Sequence, residues 1–136
     1  MTAQARPVKI LLAKCGMDGH DRGIVMLSQW FRNAGMEVVY LGPYQTPKSV
    51  ARAAMQEDAD MVGLSFLSGG HIQHASKTVA ALKEAGLNIP VLVGGIIPKV
   101  DIPALQAAGV DRVFPAGSAI EEILQHIAAL GIPQGN

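Results

Sequence analysis

Val8-Lys9-Ile10-Leu11-Leu12-Ala13 passes into Lys14-Cys15-Gly16-Met17-Asp18-Gly19-His20-Asp21-Arg22-Gly23, and Ile24, Leu27, Phe31 and Ala34 then recur at helical spacing. An apolar run of strand length, a long polar loop with three glycines and an amphipathic helix make one βα unit. The run is mostly aliphatic with no strict alternation, as in a strand buried on both faces of a parallel sheet. Gly35 supplies the helix stop.

The same unit recurs along the chain. The stretches 37–41 (EVVYL), 61–66 (MVGLSF), 90–93 (PVLV) and 112–114 (RVF) read as further strands. Thr46-Pro47 is a helix N-cap followed by proline at the first helical position, with Val50, Ala54 and Met55 on the buried face. Ile72, Ala75, Val79 and Leu82 form a third stripe closed by Gly86. Asp101 is expected to cap a fourth helix that ends before Gly109, and Ile120, Ile123, Leu124 and Ile127 form a fifth. Strand starts lie 29, 24, 29 and 22 residues apart, each interval long enough for a strand, a helix and two short loops. The fold class is therefore α/β, a doubly wound, flavodoxin-like (βα)5 parallel sheet of expected order 2-1-3-4-5. Residues 1–136 are read as a single domain with a core of about 8–127.

Composition excludes several functions. Hydrophobic residues are 49% and charged residues 16%, with a mean hydropathy of +0.27, which is too apolar for disorder. Eleven basic and eleven acidic residues cancel, so no basic footprint for nucleic acid or an acidic membrane exists. One cysteine, Cys15, allows neither an internal disulfide nor a cysteine-rich zinc site. No apolar run approaches the ~20 residues of a membrane span, and the first seven residues lack the apolar stretch of a secretory signal. A cytoplasmic location is expected. A (β/α)8 barrel takes about 250 residues, so any barrel in the chemistry belongs to another chain.

Ligands of such sheets bind beyond the carboxyl ends of the strands. Eight of the 15 glycines fall in the four loops after strands 1, 3, 4 and 5. One glycine-bearing βα turn is ordinary turn chemistry, but four facing each other favour a broad ligand lying against backbone. The first loop adds Asp18, His20 and Asp21. A metal-ligating histidine usually has its other ring nitrogen held by a carboxylate, and Asp18 is placed for that role. One histidine does not make a zinc cage, but it suffices axially for a metal that brings its own equatorial ligands. The alternative for His20 is a solvent-exposed loop position.

Asp18-x-His20-x-x-Gly23, Ser65-x-Leu67 and Gly94-Gly95, each at the end of its own strand, together resemble the cobalamin-binding domain of coenzyme B12-dependent mutases and methionine synthase. The strings AKCGMDGHDRG (13–23), VGGIIP (93–98) and VFPAGS (113–118) are most similar to the acyl-CoA mutases, especially methylmalonyl-CoA mutase. A free-standing domain of this size resembles the small subunit of two-chain mutases, which include 2-hydroxyisobutyryl-CoA mutase and the two-chain methylmalonyl-CoA mutases.

The resemblance implies adenosylcobalamin bound base-off and His-on. His20 would ligate cobalt in place of the benzimidazole, Asp18 would hold its inner N–H, and Lys14 would hydrogen-bond Asp18. The displaced nucleotide tail would enter a slot between sheet and helices. Gly23 would let the first helix begin beside it, and Ser65 would bond a nitrogen of the base. Leu67 would pack nearby and Gly94-Gly95 would line the slot. Phe114, Gly117 and Ser118 would close its far end, with Gly19, Asp21, Arg22 and Gly69 also counted as cofactor-binding. A large TIM-barrel subunit would bind the acyl-CoA, so a hetero-oligomer is implied and this chain would hold no substrate-contacting residue.

A corrinoid carrier for methyl transfer shares these motifs, but such carriers often place a helical cap ahead of the fold, and none is expected before Val8. A phosphoacceptor receiver would want an aspartate ending strand 3, where Ser65-Phe66-Leu67 stand, and a lysine after strand 5, where Pro115-Ala116-Gly117 stand. An FMN site would want Ser and Thr in the first loop for phosphate. His71 is expected as a loop-end polar group near the corrin, His74 as a solvated helix position and His126 as a surface position. Cys15 reads as a structural thiol. Trp30 stands off the main stripe of its helix, and the sequence leaves its role open.

Overall fold

Five short aliphatic segments build the sheet, because each can be buried on both faces only if neighbouring strands satisfy its backbone. They are β1 (Lys9–Lys14), β2 (Glu37–Tyr40), β3 (Met61–Phe66), β4 (Val91–Gly95) and β5 (Arg112–Pro115). In the computed structural model, which describes residues 7–14, 22–42, 44–66 and 70–130, they form one sheet of order β2-β1-β3-β4-β5 with every pairing parallel. This is the expected order. The helices are α1 (Arg22–Asn33), α2 (Pro47–Glu57), α3 (His71–Glu84), α4 (Ile102–Ala107) and α5 (Ile120–Ala129).

Alternation along the strands splits the core in two. Leu11, Ala13, Val62, Leu64, Phe66, Val91, Val93 and Val113 pack with α2, α3 and α4 through Val50, Ala54, Ala75, Val79, Leu82 and Leu105. Ile10, Leu12, Met61, Leu92 and Phe114 face the other way and pack with Ile24 and Phe31 of α1 and Ile127 of α5. The second layer is the thinner one, with two helices covering a five-stranded sheet, and the site lies there.

The ends of elements follow the sequence signals with two instructive exceptions. Thr46 caps α2 as expected, its Oγ1 accepting from Ser49 N at 3.1 Å while Ser49 Oγ accepts from Thr46 N at 2.9 Å. Strand β4, expected over 90–93, instead runs through Gly94 and Gly95, which pair with Ser65 and Phe66. The two glycines read as loop are thus the last rungs of the ladder, because a bare backbone pairs as well as any other. Asp101 stands at the N-cap position of α4, as expected, but its side chain does not do the capping. It ends a 3-10 turn (Lys99–Asp101) ahead of α4 with φ −90° and ψ −12°, and makes no side-chain cap bond. Its carboxylate instead accepts a hydrogen bond from His71 Nε2 at 2.8 Å.

Candidate functional site

The register places four residues of the α1/α5 face in one row at the carboxyl end of the sheet. Lys14 stands opposite Ser65, Ser65 opposite Gly94, and Gly94 opposite Phe114. One rung below, Leu12 stands opposite Gly63, and Gly63 opposite Leu92. Small residues therefore fill the middle of both rows. With two glycines and a serine where a sheet normally presents bulky side chains, the floor sinks and a cleft opens beneath α1 and α5.

The cleft holds about 380 Å³, within the range of small-molecule sites. Leu12, Gly63, Ser65, Leu92, Gly94 and Phe114 contribute its floor, Ile24, Leu27, Trp30 and Phe31 of α1 its roof, and Ile123 of α5 one wall. Gly117 and Ser118 border it at the β5–α5 turn. Ser118 Oγ donates to Pro115 O at 2.6 Å, which holds that turn closed on itself. Ser65 differs. It is half-buried, and its hydroxyl makes no side-chain hydrogen bond among the described residues. Polar groups pointing into an apolar cleft without an internal partner are the ones that orient a ligand.

Each glycine has its own reason. A Cβ on Gly63 would sit 2.7 Å from Leu12 Cδ2, whose side chain leans over that glycine, and one on Gly94 would sit 3.3 Å from the Phe114 carbonyl oxygen. Gly95 borders the cleft as well, but backbone demands it. With φ at +116°, a Cβ there would lie 1.9 Å from the Phe66 carbonyl oxygen. Gly63 and Trp30 were not singled out by the motifs. A glycine in mid-strand was the available signal for the first, since it often marks close backbone approach.

Lys14 ends β1 in the same row and is 1% exposed. Among the described residues it forms no ion pair. A cation buried this deeply calls for a carboxylate. The expected partner, Asp18, lies outside the described residues, as do Cys15, Gly19, His20, Asp21, Leu67 and Gly69. Arg22 and Gly23 open α1, one turn ahead of the cleft-lining Leu27.

The other histidines are structural. His71, expected as a loop-end polar group near the corrin, is the buried first residue of α3, held by Asp101 through Nε2 with Nδ1 unpartnered among the described residues, and its ring meets Phe66 edge-on at 6.2 Å. His74 is half-buried rather than solvated. Its Nε2 donates to the Gln45 carbonyl at 2.9 Å and ties α3 to the loop before α2. His126 Nε2 donates to Asp111 at 2.6 Å, and its ring packs edge-on against Phe114.

The B12 binding domain pattern matches residues 8–124, which spans all five strands and reaches into α5. This chain belongs to the B12-binding domain family. Within that family it is 46% identical over 130 residues to the pivalyl-CoA mutase small subunit of Xanthobacter autotrophicus, covering 95% of this chain and 87% of that one. It is 39% identical over 130 residues to the 2-hydroxyisobutanoyl-CoA mutase small subunit of Aquincola tertiaricarbonis, covering 92% and 96% respectively. Among solved structures, a cobalamin-binding protein from Desulfitobacterium hafniense superimposes with a TM-score of 0.74 at 26% identity, over 88% of this chain and 58% of that one. The cleft of this B12-binding domain is an apolar slot of small-molecule size. It offers bare backbone beneath, aromatic and aliphatic side chains above, and one free hydroxyl at the edge.

Proposed function

We propose that this chain is the cobalamin-binding small subunit of an adenosylcobalamin-dependent acyl-CoA mutase. The observation that carries the reading is the Lys14–Ser65–Gly94–Phe114 row with its sunken floor, in a chain related along nearly its whole length to small subunits of two acyl-CoA mutases. When bound, the cofactor supplies homolysis of its cobalt–carbon bond and radical rearrangement of a carbon skeleton. His20 would ligate the cobalt, Asp18 would fix the His20 tautomer, and Lys14 would hold Asp18. Ser65 would donate a hydrogen bond to the nucleotide base of the cofactor, with Gly63 and Gly94 lining the same cleft. Trp30, Leu27 and Phe31 exclude water from it. Gly117 and Ser118 hold the far turn in place.

A large TIM-barrel subunit would bind the acyl-CoA, so the functional unit would be a hetero-oligomer. Among the described residues no helix is long and apolar enough to cross a membrane. The test is reconstitution. The chain, adenosylcobalamin and the large chain that co-purifies with it should together isomerise a branched acyl-CoA from a panel of the 2-hydroxyisobutyryl-, pivalyl- and methylmalonyl-CoA type, while the chain with cofactor alone should isomerise none. Turnover without the large chain would refute the division of labour, and a co-purifying methyltransferase would point to a carrier instead.

A further inference from the structure

Trp30 is the single tryptophan of the chain, and it stands at the open side of the cleft. Its neighbour Phe31 is 1% exposed and fully committed to the core, whereas Trp30 keeps 43% of its surface in water while still lining the trough. More than half of the indole is buried against the fold, and the rest stands in water on a core-facing helix. It has apolar surface left to bury, and the trough beneath it is floored by the backbone of Gly63 and Gly94. A flat ring can lie on such a floor, and only an aromatic roof covers it over its full width. The free hydroxyl of Ser65, in the same trough, marks an edge that can bond a ring nitrogen.

Resting on the cobalamin reading above, we propose that Trp30 selects the nucleotide end of the corrinoid, closing over a bicyclic nitrogen heterocycle and discriminating against corrinoids whose lower base is a single phenolic ring or is missing. A one-ring base leaves part of the indole uncovered and has no ring nitrogen for Ser65. A corrinoid with no base leaves Trp30 as exposed as it is in the free chain. Trp30 is in this sense a specificity residue, acting on which cofactor enters and touching none of the reacting atoms.

The experiment titrates the purified full chain, as wild type, Trp30→Ala and Trp30→Phe, with cobalamin, a cresol-based cobamide and cobinamide, reading dissociation constants from visible spectra. Wild type should bind cobalamin most tightly. Base–aromatic stacking predicts that Trp30→Ala weakens cobalamin binding roughly 5- to 150-fold and cobinamide binding by less than about twofold, with Trp30→Phe recovering much of the loss. Equal losses on cobalamin and cobinamide, or none on either, would overturn the role of Trp30 while leaving the cobalamin reading intact. A wild-type chain that binds neither corrinoid overturns both. A wild-type measurement removes any dependence on how the variants fold. With fluorotryptophan at the one tryptophan position, the fluorine resonance should shift on adding cobalamin and stay in place on adding cobinamide, and identical responses would contradict the inference.

Discussion

Ser65→Ala separates binding from folding more cleanly than any other change in the cleft. The hydroxyl is half-buried and has no side-chain hydrogen-bond partner among the described residues, so removing it breaks none of the bonds described for the free protein. Stability should therefore stay within about 0.5 kcal/mol of wild type, as for substitutions that touch no packed or bonded feature. Binding is another matter. If the hydroxyl bonds the displaced base, the variant forfeits one net hydrogen bond of about 0.5–1.5 kcal/mol, or roughly 2- to 13-fold in dissociation constant. Cobinamide has no base to lose. The assay is a spectral titration of both variants with cobalamin and with cobinamide, alongside urea unfolding. A loss confined to cobalamin with unchanged unfolding is the expected pattern. Loss of stability comparable to the loss of affinity would mean that Ser65 serves the fold, and equal weakening toward both corrinoids would mean that the base does not lie in this cleft.

Two further changes probe the frame around the site. Gly95→Ala forces a Cβ to within 1.9 Å of the Phe66 carbonyl oxygen at a φ of +116°, and should cost at least about 3 kcal/mol or abolish folding, as read by chemical denaturation. A variant of wild-type stability would show that the β3–β4 end is not closed as described. Asp101→Ala strands the buried Nε2–H of His71 and should destabilise by roughly 1–3 kcal/mol without changing corrinoid affinity. A drop in affinity at unchanged stability would instead move the His71–Asp101 pair into the binding site.

The sheet was legible because its signals are local and agree with one another. Aliphatic runs mark the strands, and glycine and proline punctuate the helices, as Thr46-Pro47 and Gly35 do. Ser65 and Gly94 could be assigned to one site because parallel topology fixes which strand ends are neighbours, and the register then put them side by side. What depends on a partner far along the chain was not legible. Asp101 carries the residue type and position of a helix cap, and nothing in its vicinity tells that His71, thirty residues earlier, takes its carboxylate. His74 looks like any polar helix residue until the Gln45 carbonyl is seen beside it. Trp30 escaped because helical periodicity reports which face meets the sheet, and not where the sheet has been hollowed by glycine to leave a cleft below that face.

His20 and Asp18 rest on the motif of the first loop, which follows Lys14, a lysine only 1% exposed at the end of β1. The decisive measurement is electron paramagnetic resonance of the purified chain loaded with cob(II)alamin, with histidine nitrogens isotopically labelled and compared between wild type and His20→Ala. The account predicts that the superhyperfine pattern of the axial nitrogen follows the histidine label in wild type, and that this histidine coupling is gone in His20→Ala. A wild-type spectrum indifferent to the label, with the benzimidazole nitrogen still on cobalt, would contradict it.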